Sequence, residues 1–467
     1  MLKAARLTLF AFVAILALGA GQARAASHMS IGFFDDPSFR WSPDRTENLQ
    51  SAADAGASII HTTAQWSTIA ATKPRNAANG DDPAYHLNDL DELVQKASLD
   101  GLRVMIDIVG TPKWANGGKA PNRLPKSMST LQTFAKMLAT RYNGANGHGY
   151  VGLYSVWNEP NLGLFLEPQF SGKGKKFKIV GPANYGRLFK AAYAGIKSGN
   201  HTAQVAIGET SARGRDKPLK HVSDSIAPGT FARYLAKVKG LKFDAWAHHP
   251  YPTAPNLPPT QKVKYPNVTL STMPRFEKDL RKWFHHAVPV WITEYGHETK
   301  PGEKHGVTNS VQAKYAREAL TIARKDPNVQ MFIWFTFRDS HGNPWQSGLE
   351  QPSGVAKPSY AVFSALARLV NGVTMTVKHG TRPSVPLYLP LLSYYDPAGT
   401  GIGMTYHIYD GATLVGIEQP VLPLRNDQSV RLPLPFATSK GHTYTVKIDA
   451  NDINGHVESA TTMVTAT

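Results

Sequence analysis

A chain of 467 residues, 42% of them apolar, is long enough for two or three domains and can bury a large core. It holds no cysteine, which excludes disulfides, thiolate metal sites and a cysteine nucleophile. A formal charge of +17 excludes an acidic protein and favours anionic polymers or surfaces, weakly, over anionic small molecules.

Lys3 and Arg6 form a basic start, Leu7 to Ala20 is apolar, and Ala23-Arg24-Ala25 puts small residues at both positions a signal peptidase reads. This pattern predicts a signal peptide over residues 1–25 and a secreted or periplasmic protein. No other apolar run reaches ~18 residues, so no membrane span is expected once the signal is removed. Lys3, Arg6 and Arg24 leave with the signal, and residues 371–467 are nearly neutral. The positive excess therefore falls between the two.

From residue 30 to 370, short apolar strands alternate with helical stretches. The pairs in chain order are Ser30–Phe34 with Thr46–Ala55, Ser58–Thr62 with Asn88–Leu99, and Arg103–Val109 with Ser129–Tyr142. Gly152–Trp157 is followed by Ala183–Lys197, Gln204–Gly208 by Thr230–Val238, and Phe243–His248 by Pro274–His285. Val288–Thr293 with Ser310–Arg324 and Val329–Phe335 with Tyr360–Leu369 complete the series. Eight strand–helix pairs in this length predict a (β/α)8 TIM barrel over residues 30–370. An open doubly wound sheet would want a Gly-rich phosphate turn after an early strand, and none is present. Beyond Val370 the texture turns to alternating runs such as Thr443-Tyr444-Thr445-Val446-Lys447-Ile448, parted by turns such as Asp410-Gly411 and Asn454-Gly455. This predicts a small Ig-like β-sandwich over 371–467. It either binds carbohydrate or supports the barrel. With no Trp after Trp345 to serve as a platform, support is the better reading.

A barrel builds its active site where its strands end. The first strand ends at Asp35 and Asp36, the second at His61 with Trp66 beyond, and the third carries Asp107 and the loop Thr111-Pro112-Lys113-Trp114. The fourth gives Trp157-Asn158-Glu159-Pro160-Asn161, the fifth Glu209 with Ser211-Ala212-Arg213, and the sixth His248-His249-Pro250-Tyr251. The seventh gives Thr293-Glu294-Tyr295-Gly296, and the eighth Trp334, then Arg338-Asp339. Aromatic faces can stack on pyranose rings, and amides and carboxylates can bind hydroxyls. Two carboxyl groups can divide the cleavage of a glycosidic bond, one giving a proton and one attacking.

Several residues keep two readings. Glu209 is read as a salt-bridge partner of Arg213 or Arg215 rather than a catalytic group, and Asp107 as paired within the barrel. Asp35 binds a hydroxyl or caps a turn. His61 is read as structural. His248 and His249 point to opposite faces of a strand and so do not make a metal pair. Trp334 is read as stacking on sugar, and Trp66, Tyr295 and Asn161 as substrate-binding or supporting. The basic loops Lys173-Gly174-Lys175-Lys176-Phe177-Lys178 and Arg213-Gly214-Arg215-Asp216-Lys217 either bind an acidic polysaccharide or are merely solvated.

Trp157-Asn158-Glu159-Pro160 after strand four, with Thr293-Glu294-Tyr295-Gly296 after strand seven, resembles glycoside hydrolase clan A, families 5 and 39 above all. The resemblance spans the barrel. It implies a retaining glycosidase with Glu159 as acid/base and Glu294 as nucleophile. Asn158 would bind the sugar 2-hydroxyl, and His249 and Tyr251 would stand beside the nucleophile, Tyr251 donating to Glu294. One departure is His61-Thr62-Thr63-Ala64-Gln65-Trp66, which lacks the arginine many family 5 members carry near the end of strand two and so leans toward family 39. The expectation is a monomer acting on a poly- or oligosaccharide, neutral or anionic, with no metal, no cofactor and no nucleic acid. A transglycosylase, or a catalytically silent carbohydrate-binding barrel, would carry the same scaffold.

Overall fold

Eight strands alternate with helices and close on themselves in the computed structural model. They are β1 (Ser30–Phe34), β2 (Ile59–Gln65), β3 (Arg103–Val109), β4 (Leu153–Val156), β5 (Gln204–Ser211), β6 (Ala245–His249), β7 (Val290–Tyr295) and β8 (Val329–Trp334). The interleaved main helices are α1 (Arg45–Asp54), α2 (Asn88–Leu99), α3 (Met128–Arg141), α4 (Gly181–Gly199), α5 (Pro228–Leu235), α6 (Met273–Phe284), α7 (Asn309–Lys325) and α8 (Pro358–Val370). Each strand pairs in parallel with its neighbours in sequence, and β1 closes the ring on β8, Phe33 opposite Trp334. This is the predicted (β/α)8 barrel. The structure describes residues 29–172, 176–370, 376–377, 384–389, 402–418, 421–422, 428–433, 438–451 and 457–466. The expected signal peptide, Lys173 and Lys175 lie outside these.

Strand alternation sorts the apolar residues into two cores. Ile59, Met105, Leu153, Ala206, Ala245, Ala247, Trp291, Met331 and Ile333 fill the lumen, alanines making room for Trp291. The opposite strand faces, with Ile60, Ile106, Trp246, Phe332 and Trp334 among them, pack against the helices. Proline stands in the first turn of α4, α5 and α6, where its missing N–H costs nothing. Thr308 caps α7 by accepting from the Val311 N–H at 3.3 Å.

Two strands run further than their sequence indicates. β2 continues past Thr62 to Gln65, and β5 past Gly208 to Ser211. Polar residues there look like loop, yet their backbones still pair with β3 and β6. In a barrel those polar strand ends are the floor of the site.

Beyond α8 the described strands form two antiparallel sheets. β9 (Thr376–Val377), β10 (Ser384–Leu389) and β14 (Gln428–Pro433) make one. The other contains β11 (Ile402–Asp410), β12 (Thr413–Glu418), β13 (Val421–Leu422), β15 (Thr443–Asn451) and β16 (Val457–Thr465). The pair is consistent with the expected small β-sandwich, and Ile408, Val446 and Val464 are buried within it. Among the described residues, no helix is long and apolar enough to cross a membrane.

Candidate active site

The turn after β4 is bent by its own backbone. Trp157 and Glu159 both adopt positive φ, 76° and 37°, in a conformation non-glycine residues hold only when surroundings enforce it. Trp157 is buried, and its indole N–H donates to the Phe165 carbonyl at 2.6 Å. The buried ring anchors the turn, and Asn158 and Glu159 line the cavity above it.

The two adjacent histidines of β6 do part to opposite faces. His248 lies outward with Thr210 Oγ1 at 2.9 Å and the Val268 carbonyl at 3.1 Å, and burial pushes its pKa down to about 3. His249 turns inward. Its Nδ1 stands 3.2 Å from Glu159 Oε1 and 3.5 Å from Glu294 Oε2, while Nε2 stands 2.7 Å from Glu209 Oε2. Burial opposes charge on this ring, but Glu294, Glu159 and Glu209 outweigh it and hold its pKa well above the ordinary value.

Glu294 is the last but one residue of β7 and faces the cavity. The Tyr251 hydroxyl donates to its Oε2 at 3.3 Å, as expected. Burial pushes the Glu294 carboxyl up to about 7, with the charges of Glu159 and Glu209 adding to it and His249 and Tyr251 opposing. Both glutamates, Asn158 and Tyr251 line one cavity of about 450 Å³. Its other walls include Phe34, Phe335, Trp345, Arg213 and Glu298. A cavity of similar size between α6 and α7 touches none of these groups.

The aromatic wall is not the one expected. Trp334 is fully buried, its N–H given to the Ser347 carbonyl at 2.9 Å, and it packs on Tyr295. Trp334 and Tyr295 are register partners on the outer face of the sheet, so neither meets the cleft. Trp66 is also core, held between Trp114 and Phe134. The aromatic surface on the cavity falls instead to Phe335, the next residue after Trp334, and to Trp345, which is 45% exposed and stacks on Tyr251 at 6.1 Å. Alternation along β8 would have found Phe335. Trp345 sits on a loop, where no periodicity marks it.

Two open readings are resolved and one expectation is corrected. Asp35 caps the short helix Asp36–Phe39, accepting from Ser38 Oγ at 2.8 Å and from the Phe337 and Arg338 N–H groups at 3.0 Å. It ties β1 to the segment after β8 and is not in the cleft; burial pushes its pKa up to about 6. Asn161 is buried, accepting from the Ser211 N–H at 2.9 Å and donating to the Ile226 carbonyl at 2.9 Å. It staples loops together. Glu209 pairs with neither Arg213 nor Arg215 but with His249, because its strand carries it into the lumen. His61 and Asp107 are buried in that same lumen.

Residues 24–338 match the family model described as Cellulase (glycosyl hydrolase family 5). No curated protein gives a significant match. Among solved structures, the fold is similar to a family 39 glycoside hydrolase from the gut symbiont Bacteroides cellulosilyticus WH2, at 18% identity and TM-score 0.54, covering 88% of this chain and 80% of that one. It is similar to a family 39 β-xylosidase from Caulobacter crescentus at 17% identity and TM-score 0.53, covering 88% and 96%. A family 5 enzyme from Streptomyces cattleya, solved in complex with GlcNAc, gives 17% identity and TM-score 0.51, covering 74% and 80%. At such identities these likenesses concern the fold. The lean toward family 39 drawn from the missing arginine is therefore set aside, and the chain belongs to glycosyl hydrolase family 5 and is a glycoside hydrolase.

Proposed function

We propose that this glycoside hydrolase cleaves an extracellular poly- or oligosaccharide with retention of configuration, Glu294 attacking the anomeric carbon and Glu159 serving as acid, then base. The observation that carries the reading is the meeting of both carboxyls at one nitrogen of His249, at 3.2 and 3.5 Å, on the wall of a single cavity. Two carboxyl oxygens this close to one nitrogen suit the ~5–5.5 Å separation of retaining pairs better than the ~6.5–9.5 Å that leaves room for an inverting water. Asn158 beside them is placed to hold the 2-hydroxyl, and Trp345 and Phe335 offer ring faces to the sugar. The signal-like N-terminus supports an extracellular substrate. NMR of the product at first turnover tests the mechanism. The first-formed sugar should carry the substrate's own anomeric configuration, and an inverted anomer would rule out the covalent route.

The charge of the substrate has its own test. Arg213 lines both the catalytic cavity and an adjoining one of about 520 Å³ that also holds Arg215. An anionic chain laid across the two would meet both guanidinium groups. On such a polymer, kcat/KM should fall as salt rises, because screening acts over ~8 Å at physiological ionic strength. Arg213→Ser should lower it at low salt and flatten that dependence, while leaving an uncharged aryl glycoside untouched. Equal loss on both substrates would assign Arg213 to structure instead.

A further inference from the structure

Glu209 lies behind the cleft rather than in it. It is 1% exposed, and its Oε2 takes two short hydrogen bonds, from His249 Nε2 at 2.7 Å and from Thr293 Oγ1 at 2.6 Å. The backbone goes out of its way to put it there. The register between β5 and β6 shifts between Ile207 and Thr210. Gly208 sits at φ 111°, where a side chain would strike Trp246, and Glu209 follows at φ 44°. From outside the sheet, the Tyr185 hydroxyl accepts from the Gly208 N–H at 2.9 Å and donates to the Val156 carbonyl at 2.9 Å. This anchored bulge turns Glu209 into the lumen; bulges near active sites re-aim side chains in this way.

We propose that Glu209 is a positioning residue that holds His249 as an imidazolium, so that the N–H on its Nδ1 is given to Glu159 while the charge of the ring acts on Glu294 beside it. The inference rests on the catalytic reading of those two glutamates. With two donors on one oxygen, Glu209 is best satisfied as a carboxylate, and a carboxylate at 2.7 Å favours a proton on Nε2. Nδ1 then faces the carboxyl oxygens of Glu159 and Glu294 and, when the ring is doubly protonated, donates to Glu159 Oε1.

The other ionisable groups around this ring leave the role to Glu209. In the lumen, burial holds the His61 pKa down, favouring the neutral ring, and burial with the charge of Glu209 pushes that of Asp107 well up, favouring the acid form. Asp36 acts on His61 from the end of β1. His248 is neutral on the outer face. Tyr251 is held in its phenol form by burial and by the charges of Glu294, Glu159 and Glu298. Glu209 is the anion fixed behind His249, its pKa kept low by the His249 hydrogen bond despite burial.

Glu209→Gln removes that anion, and His249 gives up its proton more readily. Two charges leave together: an anion beyond the far edge of the ring and a cation within 3.5 Å of the pair. The nearer charge decides. The proton affinity of the Glu159–Glu294 pair rises, and both limbs of its pH profile move to higher pH.

The test combines ¹⁵N NMR of histidine-labelled protein with the pH dependence of kcat/KM. In the wild type at pH 6, His249, assigned by the signal lost in His249→Gln, should show both ring nitrogens protonated. In Glu209→Gln it should show a neutral tautomer, with both limbs displaced upward by about one pH unit and kcat/KM at pH 6, on the acid limb, reduced up to about tenfold. A neutral His249 in the wild type overturns the proposal, and that measurement stands even if the variant does not fold. A variant with lower activity but unmoved limbs and an intact imidazolium also overturns it, leaving Glu209 a structural role. Labelling of the wild type by a fluorinated mechanism-based inhibitor tests the catalytic reading separately. Failure to label Glu294 would sink that reading while the histidine spectrum remains readable.

Discussion

Glu294→Gln should lose turnover by on the order of 10⁴-fold, the scale on which removing a group central to covalent catalysis acts. The amide keeps the shape of the side chain and can still accept from Tyr251, so folding should be spared. It cannot form the glycosyl ester. A 2-fluoro glycoside with a good leaving group should label Glu294 in the wild type, read by peptide mass. Two other carboxyls could claim the label. Glu209 is 1% exposed behind His249 and cannot reach a sugar. Glu298 lines the same cavity, with burial pushing its pKa up to about 7, and is the real competitor. A label on Glu298 would overturn the assignment. Glu298→Gln should leave labelling of Glu294 intact.

Glu159→Gln should cost about 10²- to 10⁴-fold on substrates with sugar leaving groups, the usual range for losing general acid–base help. Aryl glycosides whose phenolate leaves without a proton should lose far less in the first step and stall in the second, where water needs a base. A burst of phenolate followed by slow turnover is the expected trace; equal loss on both substrate types would remove Glu159 from the acid role. The pH dependence has a defined sign. Burial raises the Glu294 carboxyl to about 7, and the charges of Glu159 and Glu209 add to it. Glu294 is protonated below about pH 7 and ionises as pH rises through that value. Only the carboxylate can attack, so kcat/KM should fall on the acid side of about pH 7.

Much of this was legible from the chain. Eight apolar runs spaced by amphipathic helices specify a barrel because each strand must bury both faces, lumen and helix side. The strand ends then located Glu159, Glu294, Asn158, His249 and Tyr251, since in this fold position along a strand fixes height above the barrel floor. The opposite orientations of His248 and His249 followed from a period of two. The same rule, carried on to β8, would have turned Trp334 outward and Phe335 inward.

Other features were decided only by tertiary structure. Asp35, Asn161, Trp66 and Tyr295 have the residue types of a sugar site, but each found its partners elsewhere. Asp35 found the N–H groups of Phe337 and Arg338, some three hundred residues away in sequence, and Asn161 found Ser211 and Ile226. Trp345 reached the cleft on a loop that carries no pattern. Glu209 is the clearest case. Its sequence neighbours Arg213 and Arg215 invite a local salt bridge, and only the bulge at Gly208 and the closing of the barrel bring it to His249. Sequence alone determined which strand each group rides on, because periodicity is local. Which groups meet across the lumen was left to ring closure and backbone bulges, because those contacts join residues that no local pattern relates.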